Sequence, residues 1–197
     1  MTKRWVVAAL AAAALYPTGW AQAQSRNDYD DEDGRNEDRF ALGAGVGLVD
    51  SLNEAETYLM ASLRIRVGGG RDDDGAGEQG IRGYLEPEVG YWEASGDDGR
   101  EGSDLLLGVN LIGVVPLGPV DSFFGVGAGA HFVDTSLLEN DPFADDSETK
   151  LGANAQFGID LYITESLSAF GAGRFDLVQG SDDSVQSKVY LGLRARF

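Results

Sequence analysis

An all-β chain closed as an eight-stranded antiparallel up-and-down barrel is the fold this sequence predicts, and three observations predict it. Residues 40–197 hold eight segments in which apolar and polar side chains alternate with the period of two that belongs to strands. Most of the connections between them alternate between long and polar and short and tight, as a meander of antiparallel strands requires. The last segment, residues 187–197, alternates almost without error and ends the chain on Phe197.

The segments run over residues 40–49, 56–67, 81–93, 104–115, 122–133, 150–163, 167–177 and 187–197. On the first, Gly43, Gly45 and Gly47 share a face. The second sets Leu59, Ala61, Leu63, Ile65 and Val67 against Tyr58, Ser62, Arg64 and Arg66, and the third sets Ile81, Leu85, Val89 and Tyr91 against Arg82, Tyr84, Glu86, Glu88 and Trp92. Pro87 lies inside the third, where it cannot donate to a ladder, so a local bulge is expected there. The fifth repeats the glycine pattern with Gly125, Gly127 and Gly129. The sixth is the most regular, with Leu151, Ala153, Ala155, Phe157, Ile159, Leu161 and Ile163 opposite Gly152, Asn154, Gln156, Gly158, Asp160 and Tyr162. The seventh places Phe175 and Leu177 against Arg174 and Asp176. The eighth places Val189, Leu191, Leu193, Ala195 and Phe197 against Lys188, Tyr190, Arg194 and Arg196. Residues 50–55, 94–103, 134–149 and 178–186 read as polar loops, and 116–121 and 164–166 as tight turns. Residues 68–80 form a long connection where a short one is expected.

Alternation does not say which face meets solvent, since a soluble barrel turns its apolar face inward. Two arguments point the apolar face outward, toward lipid. The interior of an eight-stranded barrel is just filled by side chains, and the polar faces mix large Arg, Tyr, Phe and Trp with glycines that leave them room. The glycines of the first and fifth strands are expected to admit Arg194, Arg196 or Phe123 across the lumen. On a water-facing surface the same glycines would only weaken the strands, by up to ~1 kcal/mol each. The second argument is the pair of chain ends. Lys3 and Arg4, the apolar run of residues 6–15 and the small-x-small site Ala21-Gln22-Ala23 have the layout of a secretory signal peptide. The run is too short for a membrane helix, which needs ~20 residues. Residues 1–23 are thus expected to be removed, residues 24–39 to form an acidic disordered tail, and residues 40–197 to form the barrel.

Strand number, loop alternation and the terminal Leu191-x-Leu193-x-Ala195-x-Phe197 resemble the small outer-membrane barrels of the OmpA transmembrane-domain and OmpX type. The resemblance implies a monomeric integral barrel of the cell outer membrane, in contact with lipid and lipopolysaccharide, that supports the envelope or displays loops. It also implies that Leu191, Leu193, Ala195 and Phe197 are read by the barrel-insertion machinery.

Composition narrows the function. Removing the first 23 of 197 residues leaves a chain of 174 with no Cys, so its stability cannot come from disulfides. The formal charge of −18 becomes −20 without Lys3 and Arg4, a surface that repels nucleic acid. The tail holds Asp28, Asp30, Asp31, Glu32, Asp33, Glu37 and Asp38 with a single aromatic, Tyr29, too little apolar surface to offset the entropy of ordering.

The inward set is expected to be Arg64, Arg66, Arg82, Arg174, Lys188, Arg194 and Arg196 with Glu86, Glu88, Asp160 and Asp176. In a narrow lumen these charges must pair, and the ordinary reading is a network that plugs the barrel; a small ion-conducting pore is the alternative. His131, the single histidine, sits on the inward face of the fifth strand near the outer rim. Residues 127–135 look faintly like a stretch of outer-membrane lipid A deacylases. Those enzymes carry His-x-Ser on a later strand, where this chain has Phe175-Asp176-Leu177, and a Ser-His hydrolase needs its base within reach of its nucleophile. No catalytic residues are therefore expected, and a lipid A-modifying enzyme using His131 is kept as a second alternative, ranked below the pore. The acidic groups at 72–74, 97–98, 141–148 and 182–183 lack EF-hand spacing and read as solvated loops rather than Ca²⁺ sites. No phosphate-binding, zinc or nucleophile-elbow motif is present, and no metal or cofactor is expected.

Overall fold

The computed structural model describes residues 39–51, 54–68, 80–95, 101–136, 145–180 and 185–197. The expected signal peptide, the tail up to Asp38 and the middle of the connection at 69–79 lie outside the described residues, as do the acidic groups at 72–74, 97–98 and 182–183. Eight strands are present: β1 Phe40–Ser51, β2 Glu54–Gly68, β3 Arg82–Ser95, β4 Glu101–Pro116, β5 Val120–Ser136, β6 Asp145–Tyr162, β7 Leu167–Val178 and β8 Val185–Arg196. Each pairs antiparallel with its chain neighbour, and β8 returns to β1 to close the barrel.

The base is the end with the tight turns. Leu117 donates to the carbonyl of Val120 at 2.8 Å around Gly118, whose φ of 82° is where glycine is the natural choice. Ile163 and Thr164 both donate to Leu167. The start of β1 meets the end of β8 here, with Phe197 N 2.9 Å from Phe40 O and Arg39 N 3.1 Å from Phe197 O.

Three strands run longer than hydrophobicity suggests. The ladder between β4 and β5 continues to Glu101↔Ser136, and that between β5 and β6 to Ser136↔Asp145, so much of the expected loop at 134–149 is hairpin. Pairing between β6 and β7 stops at Gly152↔Val178. The sheet β3–β6 therefore rises above its neighbours. Backbone pairing there needs no apolar face, which is why hydropathy does not mark it.

The bulge expected at Pro87 is absent. β3 pairs with β4 in unbroken register through Pro87↔Val109. On the other side, the ladder to β2 passes from Ser62↔Glu88 to Ile65↔Leu85 without a register change. The missing N–H removes rungs without inserting a residue. The register shift comes lower, between Arg66 and Gly68, next to the rim.

Period two separates the faces. Leu161, Ile163, Val189, Leu191 and Leu193 are exposed on the outer wall, while Arg64, Tyr58, Phe123, Arg174 and Arg194 are buried inside. Two glycine assignments need correction. Gly43 does sit beside Arg194, but Phe123 lies against Gly158 of β6 rather than against β1 or its own strand. Phe170, on which the sequence places no emphasis, fills the space over Gly45 and Gly192: a Cβ on Gly192 would come within 2.7 Å of its Cζ and of the Gly45 backbone. Gly129 makes room for Leu106 of the adjacent strand. A Gly192→Val substitution should cost ~1–3 kcal/mol by overpacking this seam. Urea titration of the folded fraction, followed by gel mobility without boiling, should show the midpoint falling.

Candidate functional site in the barrel lumen

The inward positions of β2, β3 and β5–β8 bring the ionisable side chains into stacked layers. At the base, Asp121 accepts from the Tyr162 hydroxyl, and the guanidinium groups of Arg82 and Arg196 stand 3.8 and 3.9 Å from its carboxylate. Arg196 also stacks 3.8 Å from the Tyr162 ring centre. A cavity of about 20 Å³ opens above, lined by Arg64, Arg82, Asp121, Asp160, Arg194 and Arg196 among others. That is room for about one water molecule.

The next layer is a neutral quartet. Arg64 donates from Nε to Glu86 and, at 2.9 Å, from Nη1 to Asp160, and Arg194 donates to Asp160. The rings of Phe123 and Phe170 lie under these cations, at 4.3 Å from Arg64 and 4.5 Å from Arg194. Gln156 links upward: its Nε2 donates to Glu86 at 3.3 Å and its Oε1 accepts from the Tyr190 hydroxyl at 2.8 Å. A second neutral quartet follows. Arg174 donates to Glu88 and, at 2.8 Å, to Asp176, whose other oxygen is 3.0 Å from Lys188 Nζ. Lys188 also faces the Tyr58 ring at 4.9 Å.

All eight charged members of the quartets are buried, as is Arg196. Arg82 and Arg66 are only partly buried, toward the base, and Arg66 is engaged in interactions of its own. Leu191, Leu193, Ala195 and Phe197 lie along the outer wall of β8, all but Ala195 well exposed.

Near the opposite rim, His131 Nδ1 is 2.8 Å from Asp104 Oδ2, and both side chains are about 1% exposed. Asp104 carries no signal in the sequence, where it stands alone at the edge of an apolar run; only the register, which sets Asp104 opposite Val133, brings it next to the histidine. The pair has the form of a base and its orienting carboxylate. No nucleophile is described in contact with it, and Ser103 falls on the outer face of β4. Among the described residues no cluster of three metal-ligating side chains occurs.

No family model and no curated relative matches this chain. Solved structures do. Neisserial surface protein A (NspA) superimposes with a TM-score of 0.60 at 13% identity, over 80% of this chain and 96% of that one. A major outer membrane protein from Thermus thermophilus gives 0.52 at 15%, over 82% and 100%. The outer membrane enzyme PagL gives 0.51 at 13%, over 80% and 99%. The chain has the fold of small outer-membrane barrels.

Because each quartet is neutral, removing one member strands a buried charge, at a cost of ~3–5 kcal/mol. Arg174→Met should lower stability by that order. The double substitution Arg174→Met with Glu88→Gln leaves Lys188 paired with Asp176 and should recover most of the loss. Equilibrium urea unfolding in lipid vesicles compares the two.

Proposed function

We propose that this chain is an integral outer-membrane barrel with a structural or surface-interaction role, a lumen closed by its own side chains, and no enzymatic activity. The observation that carries the reading is the inversion of its surfaces: charged and hydrogen-bonded groups lie inside, and a continuous belt of Leu, Ile, Val and Phe lies outside. Such a belt is unfavourable in water, where exposed apolar patches of a soluble monomer stay small, and fits the hydrocarbon band of a membrane crossed by tilted strands. The export signal read at residues 1–23 and the outward Leu191, Leu193, Ala195 and Phe197 support delivery by the barrel-insertion machinery. Outer-membrane lipid and lipopolysaccharide are the partners of the belt, and the monomer is the working unit.

The filled interior supports the non-conducting reading over the pore. Both quartets bridge strands across the lumen, and aromatic rings occupy the spaces between them. An ion would have to separate buried pairs in order to pass. The His131–Asp104 pair is the feature that an enzymatic reading would use, and PagL is named as an enzyme. Here the pair has no described nucleophile, so its role is taken as structural.

Planar-bilayer recording of the purified barrel should show no stable, sizeable unitary currents, and frequent long openings would refute the closed lumen. Substituting His131→Ala should leave the lipid A mass profile of a producing strain unchanged; a new or lost acyl chain would return the enzyme to consideration.

A further inference from the structure

Two buried residues that line the cavity at the base each keep one polar atom without a hydrogen-bond partner among the described residues. Arg64 uses Nε on Glu86 and Nη1 on Asp160, and its Nη2 is left over. Asp121 accepts from the Tyr162 hydroxyl through Oδ2, and its Oδ1 is left over. Both residues are 3% exposed, so bulk water does not reach them. A charged group in this state is costly, because burial has removed its hydration and no protein group has replaced it.

The neighbouring cations stop short of the carboxylate. Arg82 Nη2 is 3.8 Å from Oδ1 and Arg196 Nη2 is 3.9 Å from Oδ2, beyond the range of a hydrogen bond. Polar groups held at such distances are commonly joined through a water molecule. The cavity that Arg64, Arg82, Asp121 and Arg196 share measures about 20 Å³, the space of about one water. Glu165 and Phe197, with the terminal carboxylate, are exposed at the rim and do not line it. Arg194 Nε is also unpaired, but it stands 3.5 Å from the Cβ position of Gly43, outside the lining.

The two leftover atoms ask for opposite things. Asp121 Oδ1 needs a donor, which a halide cannot be. Arg64 Nη2 needs an acceptor, which a metal cation cannot be, and a cation would also meet the guanidinium groups of Arg82 and Arg196. Water both donates and accepts.

We propose that the base cavity is a binding site for a single resident water, which accepts from Arg64 Nη2 and Arg82 Nη2 and donates to Asp121 Oδ1. The base group and the lower quartet then form one array, from Asp121 through the water to Arg64, Glu86, Gln156 and Tyr190. The inference goes beyond the absence of conduction, since a barrel can be closed over a dry base or a hydrated one, and bilayer currents do not decide between them.

High-resolution diffraction from crystals of the barrel soaked in sodium bromide, with data collected at the bromine edge, tests this. One peak within hydrogen-bond distance of both Arg64 Nη2 and Asp121 Oδ1, without anomalous signal, is expected. Anomalous signal at that point would overturn the proposal in favour of an anion. A direct Arg64–Asp121 bond, or no density in the cavity, would overturn it as well. Nuclear magnetic resonance in detergent micelles gives a second readout: the Arg64 guanidinium protons should show a cross-relaxation peak to water of the sign that marks long residence. Its absence in the unaltered protein would overturn the site, and in Asp121→Leu it should fall several-fold.

Discussion

The ladder between β1 and β8 is the constraint on which the rest of the structure depends. Ten residue pairs from Ala41↔Arg196 to Asp50↔Ser187 join the first strand to the last, so the described sheet has no free edge along the barrel wall and every strand must divide its side chains between a narrow interior and an outer surface. Strand periodicity leaves no third option. Once Arg194 and Arg196 are turned inward by this pairing, Leu191 and Leu193 must face out. The charges inside must then find partners from other strands, which Glu86 and Asp160 supply for Arg194.

That interior is a compromise between charge and volume. A lumen filled only by hydrocarbon would need no pairing, but replacing one partner of an ion pair is far more damaging than replacing both. The lower quartet draws Arg64, Glu86, Asp160 and Arg194 from β2, β3, β6 and β8; the upper draws Glu88, Arg174, Asp176 and Lys188 from β3, β7 and β8, with Tyr58 of β2 beside them. Each therefore ties together strands far apart in sequence. Aromatic rings complete the fill where glycines on neighbouring strands permit it, as with Phe170 over Gly192 and Gly45. On the closed-lumen reading proposed above, an interior spent on packing leaves the rims and the outer wall as the surfaces open to partners.

Much of this is legible in the sequence, because period two in β6 or β8 admits a single division of faces. Strand number and pairing order follow from that period and the alternation of the connections, while the choice of the outward face also needs the lumenal glycines and the two ends of the sequence. Three things are not legible there. The upper halves of β5 and β6 are polar, so residues 134–136 and 145–149 carry no sign that their backbones pair. Which aromatic meets which glycine depends on the stagger between strands, so Phe123 can be placed in the lumen but not against Gly158. The partnership of His131 with Asp104 depends on the same register; each is unremarkable in its own segment. Pro87 cannot donate, as its chemistry dictates, yet the sheet accommodates it by omitting rungs to β2 and keeping the register rather than by bulging.

The central claim is that the odd-numbered side chains of β6 face hydrocarbon and the even-numbered ones face the lumen. Single nitroxide or tryptophan probes placed in turn at Ala153, Asn154, Ala155, Gln156 and Phe157, in vesicles of brominated or spin-labelled lipid, measure this directly. Strong quenching at 153, 155 and 157 with little at 154 and 156 is the predicted pattern. Quenching at 154 and 156 instead, or equal access of all five to a water-soluble quencher, would contradict it.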